Sequence, residues 1–126
     1  MNFQKIGFIG LGLIGGSIAK KIKANCPETQ IYATAHHIET IQEAYKEGII
    51  ENSNLLSMSD FSECDCIFLC APVQRNLDYL AQLKDIIKKD CYITDVGSTK
   101  TEIHEEVIRL GMEANFIGGY SITGPA

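Results

Sequence analysis

Near the start of the chain, Gly10-Leu11-Gly12-Leu13-Ile14-Gly15 fits the spacing G-x-G-x-x-G. Each glycine in that pattern has a mechanical task. The first permits a tight turn, the second lets the backbone approach a pyrophosphate, and the third lets a helix lie close against the preceding strand. The pattern alone is weak, and its context decides what it means. Here the apolar run Ile6-Gly7-Phe8-Ile9 precedes it, and Ile14, Ile18 and Ile22 follow at helical spacing. A strand thus feeds a helix whose first N–H groups and positive dipole end are available to phosphate. The spacing predicts a dinucleotide site, for NADP or NAD, on Gly10, Gly12, Leu13, Ile14 and Gly15. An unliganded glycine-rich turn is the plainer alternative, and the flanking strand and helix disfavour it.

An acid usually anchors the adenosine ribose about twenty residues past the glycines. That place reads Ala33-Thr34-Ala35-His36-His37, with no acid. An acid would hydrogen-bond the ribose hydroxyls of NAD and repel the 2′-phosphate of NADP, so its absence removes that repulsion. Ala35, His36 and His37 are therefore expected at the ribose, and the two histidines can donate to a phosphate. Histidine is only partly charged near neutral pH, and no arginine stands beside the pair in the sequence. The balance tips slightly to NADP, with a solvated loop as the alternative account of the pair. Further on, Cys70-Ala71-Pro72-Val73 follows an apolar strand, at the edge where ligands meet an open parallel sheet. Proline there stops the strand and turns the chain over the crevice, so these four residues are expected to touch cofactor.

The cluster Cys64-Asp65-Cys66-Ile67-Phe68-Leu69-Cys70 invites a metal reading. The pairwise Cys-x-x-Cys spacing that favours zinc is missing, and cysteine inside an apolar strand acts as a small hydrophobe; no metal site is expected. The five cysteines, odd in number and without a secretion signal, fit reduced thiols in a cytoplasmic protein. The net charge of −5 leaves nothing to neutralise a nucleic-acid backbone. No apolar run approaches the length of a membrane span.

Positioning these residues requires alternating strands and helices. Strands are predicted at residues 6–9, 30–34, 49–50 (weakly), 66–70, 91–94 and 115–117. Helices are predicted from the spacing of Ile14, Ile18 and Ile22; over residues 39–46, with Gly48 after the end; from Leu77, Leu80, Leu83 and Ile87; and from Ile103, Val107 and Leu110. A capping box is expected at residues 99–102. This alternation implies an α/β fold, a doubly wound parallel sheet with helices on both faces. The phosphate-binding turn after the first strand selects the Rossmann strand order 3-2-1-4-5-6. With 126 residues, the whole chain reads as one dinucleotide-binding domain.

The start of the chain through Ser17, the Ala71-Pro72-Val73 turn, the element Asp95-Val96-Gly97-Ser98-Thr99-Lys100 and Phe116-Ile117-Gly118-Gly119 together resemble the prephenate and arogenate dehydrogenases of tyrosine biosynthesis. The Asp95–Lys100 element discriminates best, because many other Rossmann enzymes share the glycine turn. The resemblance implies an NAD(P)-dependent oxidative decarboxylation of prephenate or arogenate. It places Gly97 and Ser98 beside the nicotinamide, with Ser98 hydrogen-bonding the substrate hydroxyl or a catalytic histidine. A plain helix N-cap is the other account of Ser98. The family usually continues Gly-Gly-His-Pro, whereas this chain reads Gly118-Gly119-Tyr120-Ser121. Tyr120 thus occupies the catalytic histidine's place. With a reference pKa of about 10 against about 6.5, it is a poor base at neutral pH, so weak or no dehydrogenase activity is expected. The resemblance also implies a C-terminal helical domain that forms a homodimer and supplies substrate contacts, absent from these 126 residues, and an exposed apolar patch near the last strand. A dicarboxylate needs cationic contacts, for which the local candidates, Arg75 and Lys100, are insufficient. Two other readings compete: another small Rossmann reductase of the hydroxyacid-dehydrogenase kind, and a non-catalytic NAD(P)-binding module.

Overall fold

Strand β1 (Lys5–Ile9) sends Ile6 and Phe8 into one apolar cluster and Ile9 into another. A strand buried on both faces needs cover on both, and the chain supplies it. The structure, a computed structural model, describes residues 3–96, 101–117, 120–121 and 124–125, and of residues 101, 120, 121, 124 and 125 only the backbone. On one face lie α1 (Leu13–Asn25) and α2 (Ile38–Lys46), whose Ala19, Ile41 and Ala44 pack with Ile6, Phe8, Ile31 and Ala33. On the other lie α3 (Val73–Leu83) and α4 (Thr101–Leu110), whose Leu80, Leu83, Ile103 and Val107 pack with Ile9, Ile67, Leu69 and Ile93. A short 3-10 turn (Met58–Phe61) completes that second face. Its Phe61 lies so close to Gly7 that a Cβ there would come within 2.5 Å of the ring.

Strands β2 (Gln30–Thr34), β3 (Cys66–Leu69) and β4 (Tyr92–Asp95) join β1 in one parallel sheet, ordered β2-β1-β3-β4. Gly7 pairs with Tyr32 on one side and with Ile67 on the other. Because all four strands run the same way, the loops after β1, β2, β3 and β4 emerge at one edge. The glycine turn, His36-His37, the Ala71-Pro72 turn and Asp95 are thereby gathered there.

The sheet is a four-stranded one, and this corrects the expected six-stranded order 3-2-1-4-5-6. The strand expected at Ile49-Ile50 does not form. Both side chains are buried, but the edge of β2 is satisfied in another way. Asn52 donates through Nδ2 to the Ala33 carbonyl (2.8 Å) and accepts from the Ala33 N–H at Oδ1 (3.0 Å), while the Glu51 N–H donates to Ile31 (2.7 Å). A side-chain amide thus replaces a strand's backbone pairing. The strand expected at residues 115–117 shrinks to a single parallel bridge between Phe116 and Ile93. The four strands that do form keep the relative order expected of them. An antiparallel pair, β5 (Tyr120–Ser121) and β6 (Gly124–Pro125), follows. The capping box at residues 99–102 falls largely outside the described residues, while Asn115, Phe116 and Ile117, at the expected last strand, are half-buried. No helix among the described residues is long and apolar enough to cross a membrane.

Candidate functional site

The glycine turn is held from two sides. The N–H groups of Gly10 and Leu11 both donate to the Thr34 carbonyl at 2.9 Å, tying the turn to the end of β2. Gly10 adopts φ +85°, a region costly to residues with a Cβ. A Cβ there would also lie 2.8 Å from the backbone nitrogen of Ala71. Gly10 is therefore required twice, by its own conformation and by the strand-end turn pressed against it. Gly15 meets its neighbour as the pattern demands: a Cβ would sit 3.0 Å from the Cys70 Sγ, so its absence lets α1 lie against the end of β3.

Gly12 differs. A Cβ built there meets only the Gly10 carbonyl oxygen, at 3.9 Å. Among the described residues, its chain neighbours aside, no other atom comes within 4 Å of it, and it borders the first turn of α1. Gly12 caps α1 without any side-chain hydrogen bond, and the first turn holds no acid. The leading N–H groups cannot be paired within the helix, and the dipole there favours an anion. The residues present fit a dinucleotide pyrophosphate. Leu13 is 91% exposed and Ile14 51%, apolar surface flanking the same turn.

A cavity of about 310 Å³ lies beside the turn, lined among others by Gly10, His36, Cys70, Ala71, Pro72 and Arg75. It brings together residues expected at the cofactor from three separate loops. Gly12 and Leu13 border a neighbouring cavity of about 260 Å³ between α1 and α2. His37 caps α2 and stacks edge-on against His36, ring centres 4.6 Å apart. Ala35 and Val73 are half-buried and pack against the two apolar clusters. Pro72 is the N-cap of α3, so the proline that stops β3 also starts the next helix. Gly97 and Ser98 lie outside the described residues, and of Tyr120 only the backbone, at the start of β5, is described.

Three features escape a reading of the sequence. Asn76, fully buried, clamps the crevice: its Nδ2 donates to the Ala71 carbonyl (2.9 Å) and to Asp95 Oδ1 (2.7 Å), and its Oδ1 accepts from the Ala71 N–H (3.2 Å). It ties the end of β3 to the end of β4. The available signal was a polar residue on the apolar stripe Val73, Asn76, Leu80, Leu83, since a buried amide must find partners. The second is Tyr79, which also lines the larger cavity. The third is the pairing of Arg75, foreseen only as a cation for substrate, with His36: its guanidinium donates to His36 Nδ1 at 3.1 Å. The histidine pair is thus accompanied by an arginine after all, delivered from α3 rather than from its own loop.

The buried thiols are chemically quiet. Burial pushes Cys64, Cys66, Cys70 and Cys91 up to about 12, and the neighbouring Asp95 carboxylate adds to the rise at Cys70. A thiol so protonated is neither nucleophile nor metal ligand. Among the described residues no group of three or more His, Cys, Asp or Glu is arranged to hold a metal.

A parallel sheet with helices on both faces, carrying a glycine turn open to phosphate at its carboxyl edge, defines a nucleotide-binding domain of the Rossmann type. The family model of prephenate dehydrogenase, nucleotide-binding domain, matches residues 18–126, and the chain belongs to that family. It is 42% identical over 125 residues to the prephenate dehydrogenase of Lactococcus lactis subsp. cremoris, covering 96% of this chain and 34% of that one. The prephenate dehydrogenase of A. aeolicus, solved in complex with hydroxyphenyl propionate and NAD+, superposes with a TM-score of 0.85 at 29% identity, over 100% of this chain and 44% of that one. An arogenate dehydrogenase from Synechocystis gives 0.77 at 30% identity, over 90% and 39%. The chain spans about a third of the length of the curated relatives it matches.

Proposed function

We propose that this chain is the cofactor domain of an NAD(P)-dependent dehydrogenase that oxidatively decarboxylates prephenate or arogenate, and that it takes NADP in preference to NAD. The observation that carries the reading is the turn at Gly10 and Gly12, locked by Thr34 and Ala71 yet open above Gly12, in a chain of the prephenate dehydrogenase family. The names of the relatives given above supply the substrate class: prephenate for two, arogenate for one. The missing acid after β2 supports NADP, because nothing at Ala35 repels a 2′-phosphate. The buried, reduced thiols fit a cytoplasmic setting.

In the proposed reaction the ring carbon bearing the hydroxyl gives up a hydride, for which the bound nicotinamide is the acceptor. Carbon dioxide leaves, its bonding electron pair completes the aromatic ring, and the oxygen stays as a phenol. The chain's residues bind and orient. The α1 N-terminus would hold the pyrophosphate, the Asn76 clamp fixes the crevice between β3 and β4, and Ser98, following β4, would meet the substrate hydroxyl. Tyr120 stands where the family carries histidine. It donates a hydrogen bond to that hydroxyl but accepts its proton poorly near neutral pH, so this protein turns over slowly.

The test uses the full-length protein that carries this chain, with prephenate and arogenate in turn and with each cofactor, following cofactor reduction. Slow turnover that rises in Tyr120→His supports the reading. Ordinary turnover by the unaltered protein refutes the role given to Tyr120. Cofactor binding without reduction in both forms favours a non-catalytic NAD(P)-binding module.

A further inference from the structure

We infer that Arg75, held by His36, is the specificity-determining residue of the cofactor site and makes its ribose end a 2′-phosphate subsite. The inference rests on the nucleotide-binding reading above and adds a residue to it. Arginine has donors only, so the 3.1 Å contact requires His36 Nδ1 to accept, which puts the ring's proton on Nε2. The pair therefore presents donors alone: the outer imidazole N–H and the guanidinium N–H groups not spent on His36. Among the described residues Arg75 joins no ion pair, so its positive charge is not cancelled locally. Among the described residues the cavity's other lining residues are Gly10, Leu11, His36, Cys70, Ala71, Pro72 and Tyr79, and none of them is an acid. Ala35, where an acid would stand in an NAD site, bears only a methyl group.

A planar guanidinium with an uncommitted edge matches phosphate bidentately, which an ammonium cannot do. A neutral ribose hydroxyl gains much less from the same cation. The constellation is assembled from two loops and one helix that meet only because β2 and β3 flank β1 in a parallel sheet. Charge, geometry and the missing acid all favour a phosphorylated ribose.

The experiment is calorimetric titration with a matched pair of probes, adenosine 2′,5′-bisphosphate and adenosine 5′-monophosphate, at low ionic strength. Neither probe carries nicotinamide, so catalysis plays no part. The unaltered protein is expected to bind the bisphosphate at least about tenfold more tightly, and Arg75→Ala to remove about tenfold of that ratio while leaving the monophosphate affinity in place. Arg75→Lys should keep part of the preference, and Ala35→Asp should reverse it. Equal binding of both probes by the unaltered protein overturns the subsite. Equal weakening of both in Arg75→Ala also overturns it, because the side chain would then be stacking on the base. If neither probe nor intact cofactor binds, the nucleotide-binding reading itself fails, which is a different result.

Discussion

Replacing Gly10 and Gly12 separately by alanine should give opposite phenotypes, although the two glycines are neighbours in one motif. At Gly10 the backbone sits at φ +85°, where a Cβ costs roughly 1–2 kcal/mol. The new methyl would also lie 2.8 Å from the Ala71 nitrogen and Cβ, and 2.9 Å from its Cα. Most of those atoms are backbone, and relieving such overlap costs about 1–3 kcal/mol. Against this, alanine restricts the unfolded chain and returns about 0.4–1 kcal/mol. The sum is a loss of about 1–5 kcal/mol, a large part of the roughly 5–15 kcal/mol that holds a domain folded. Gly12 has φ −149°, extended backbone open to any residue, and its nearest neighbour to a Cβ is 3.9 Å away. Its costs are those of a poorer N-cap, offset by the same unfolded-state effect, and the net change is within about 1 kcal/mol. The methyl instead fills the space assigned to the pyrophosphate and should weaken NADP binding at least about tenfold. Urea unfolding measures the first quantity and calorimetric titration the second. If Gly12→Ala unfolds as readily as Gly10→Ala, or binds NADP unchanged, the division of labour argued for these glycines is wrong.

Asn76→Ala removes three hydrogen bonds from a fully buried site and leaves Asp95 and the Ala71 backbone without that partner. A loss of about 2–4 kcal/mol in urea unfolding is expected, and a loss under 1 kcal/mol would contradict the clamp. Asp65 accepts from the Gln4 and Lys5 N–H groups and from Lys88; the Lys88 hydrogen bond is foremost in holding its carboxyl below the ordinary value of 3.8. A carboxyl lowered on folding stabilises above its unfolded pKa and loses that contribution as pH falls through the folded one. The stability gap between the unaltered protein and Asp65→Asn should therefore be present at neutral pH and close below about pH 4, and a gap independent of pH would contradict it. Alkylation of the folded protein at mildly alkaline pH should modify the exposed Cys26 first, with Cys64, Cys66 and Cys91 reacting only on unfolding; mass spectrometry of the early product decides, and early labelling of Cys66 would count against the packing described.

The cofactor turn could be read directly because its determinants lie within a few consecutive residues. Strand, glycines and helix each leave a local mark, and the conformation demanded of Gly10 belongs to that short stretch. The alternation of elements, and hence helices on both faces of a parallel sheet, is also local information repeated along the chain. The third strand was misjudged for a physical reason. Ile49 and Ile50 are buried, and periodicity reports burial, but burial does not say which groups satisfy the edge of β2. Only the fold shows Asn52 doing so.

The meeting of His36 and Arg75 is the clearest case of what sequence order conceals. His36 and Arg75 are separated by 39 positions, and no local rule connects a histidine after one strand to an arginine on a later helix. Asn76 and Asp95 likewise meet only once β3 and β4 lie side by side. The amino-acid order alone determined the glycine turn and the helix that starts from it, because that feature is made by one turn of backbone. Which side chains gather beside the turn was decided by tertiary structure, because parallel pairing of strands distant in sequence brings their loops to one edge.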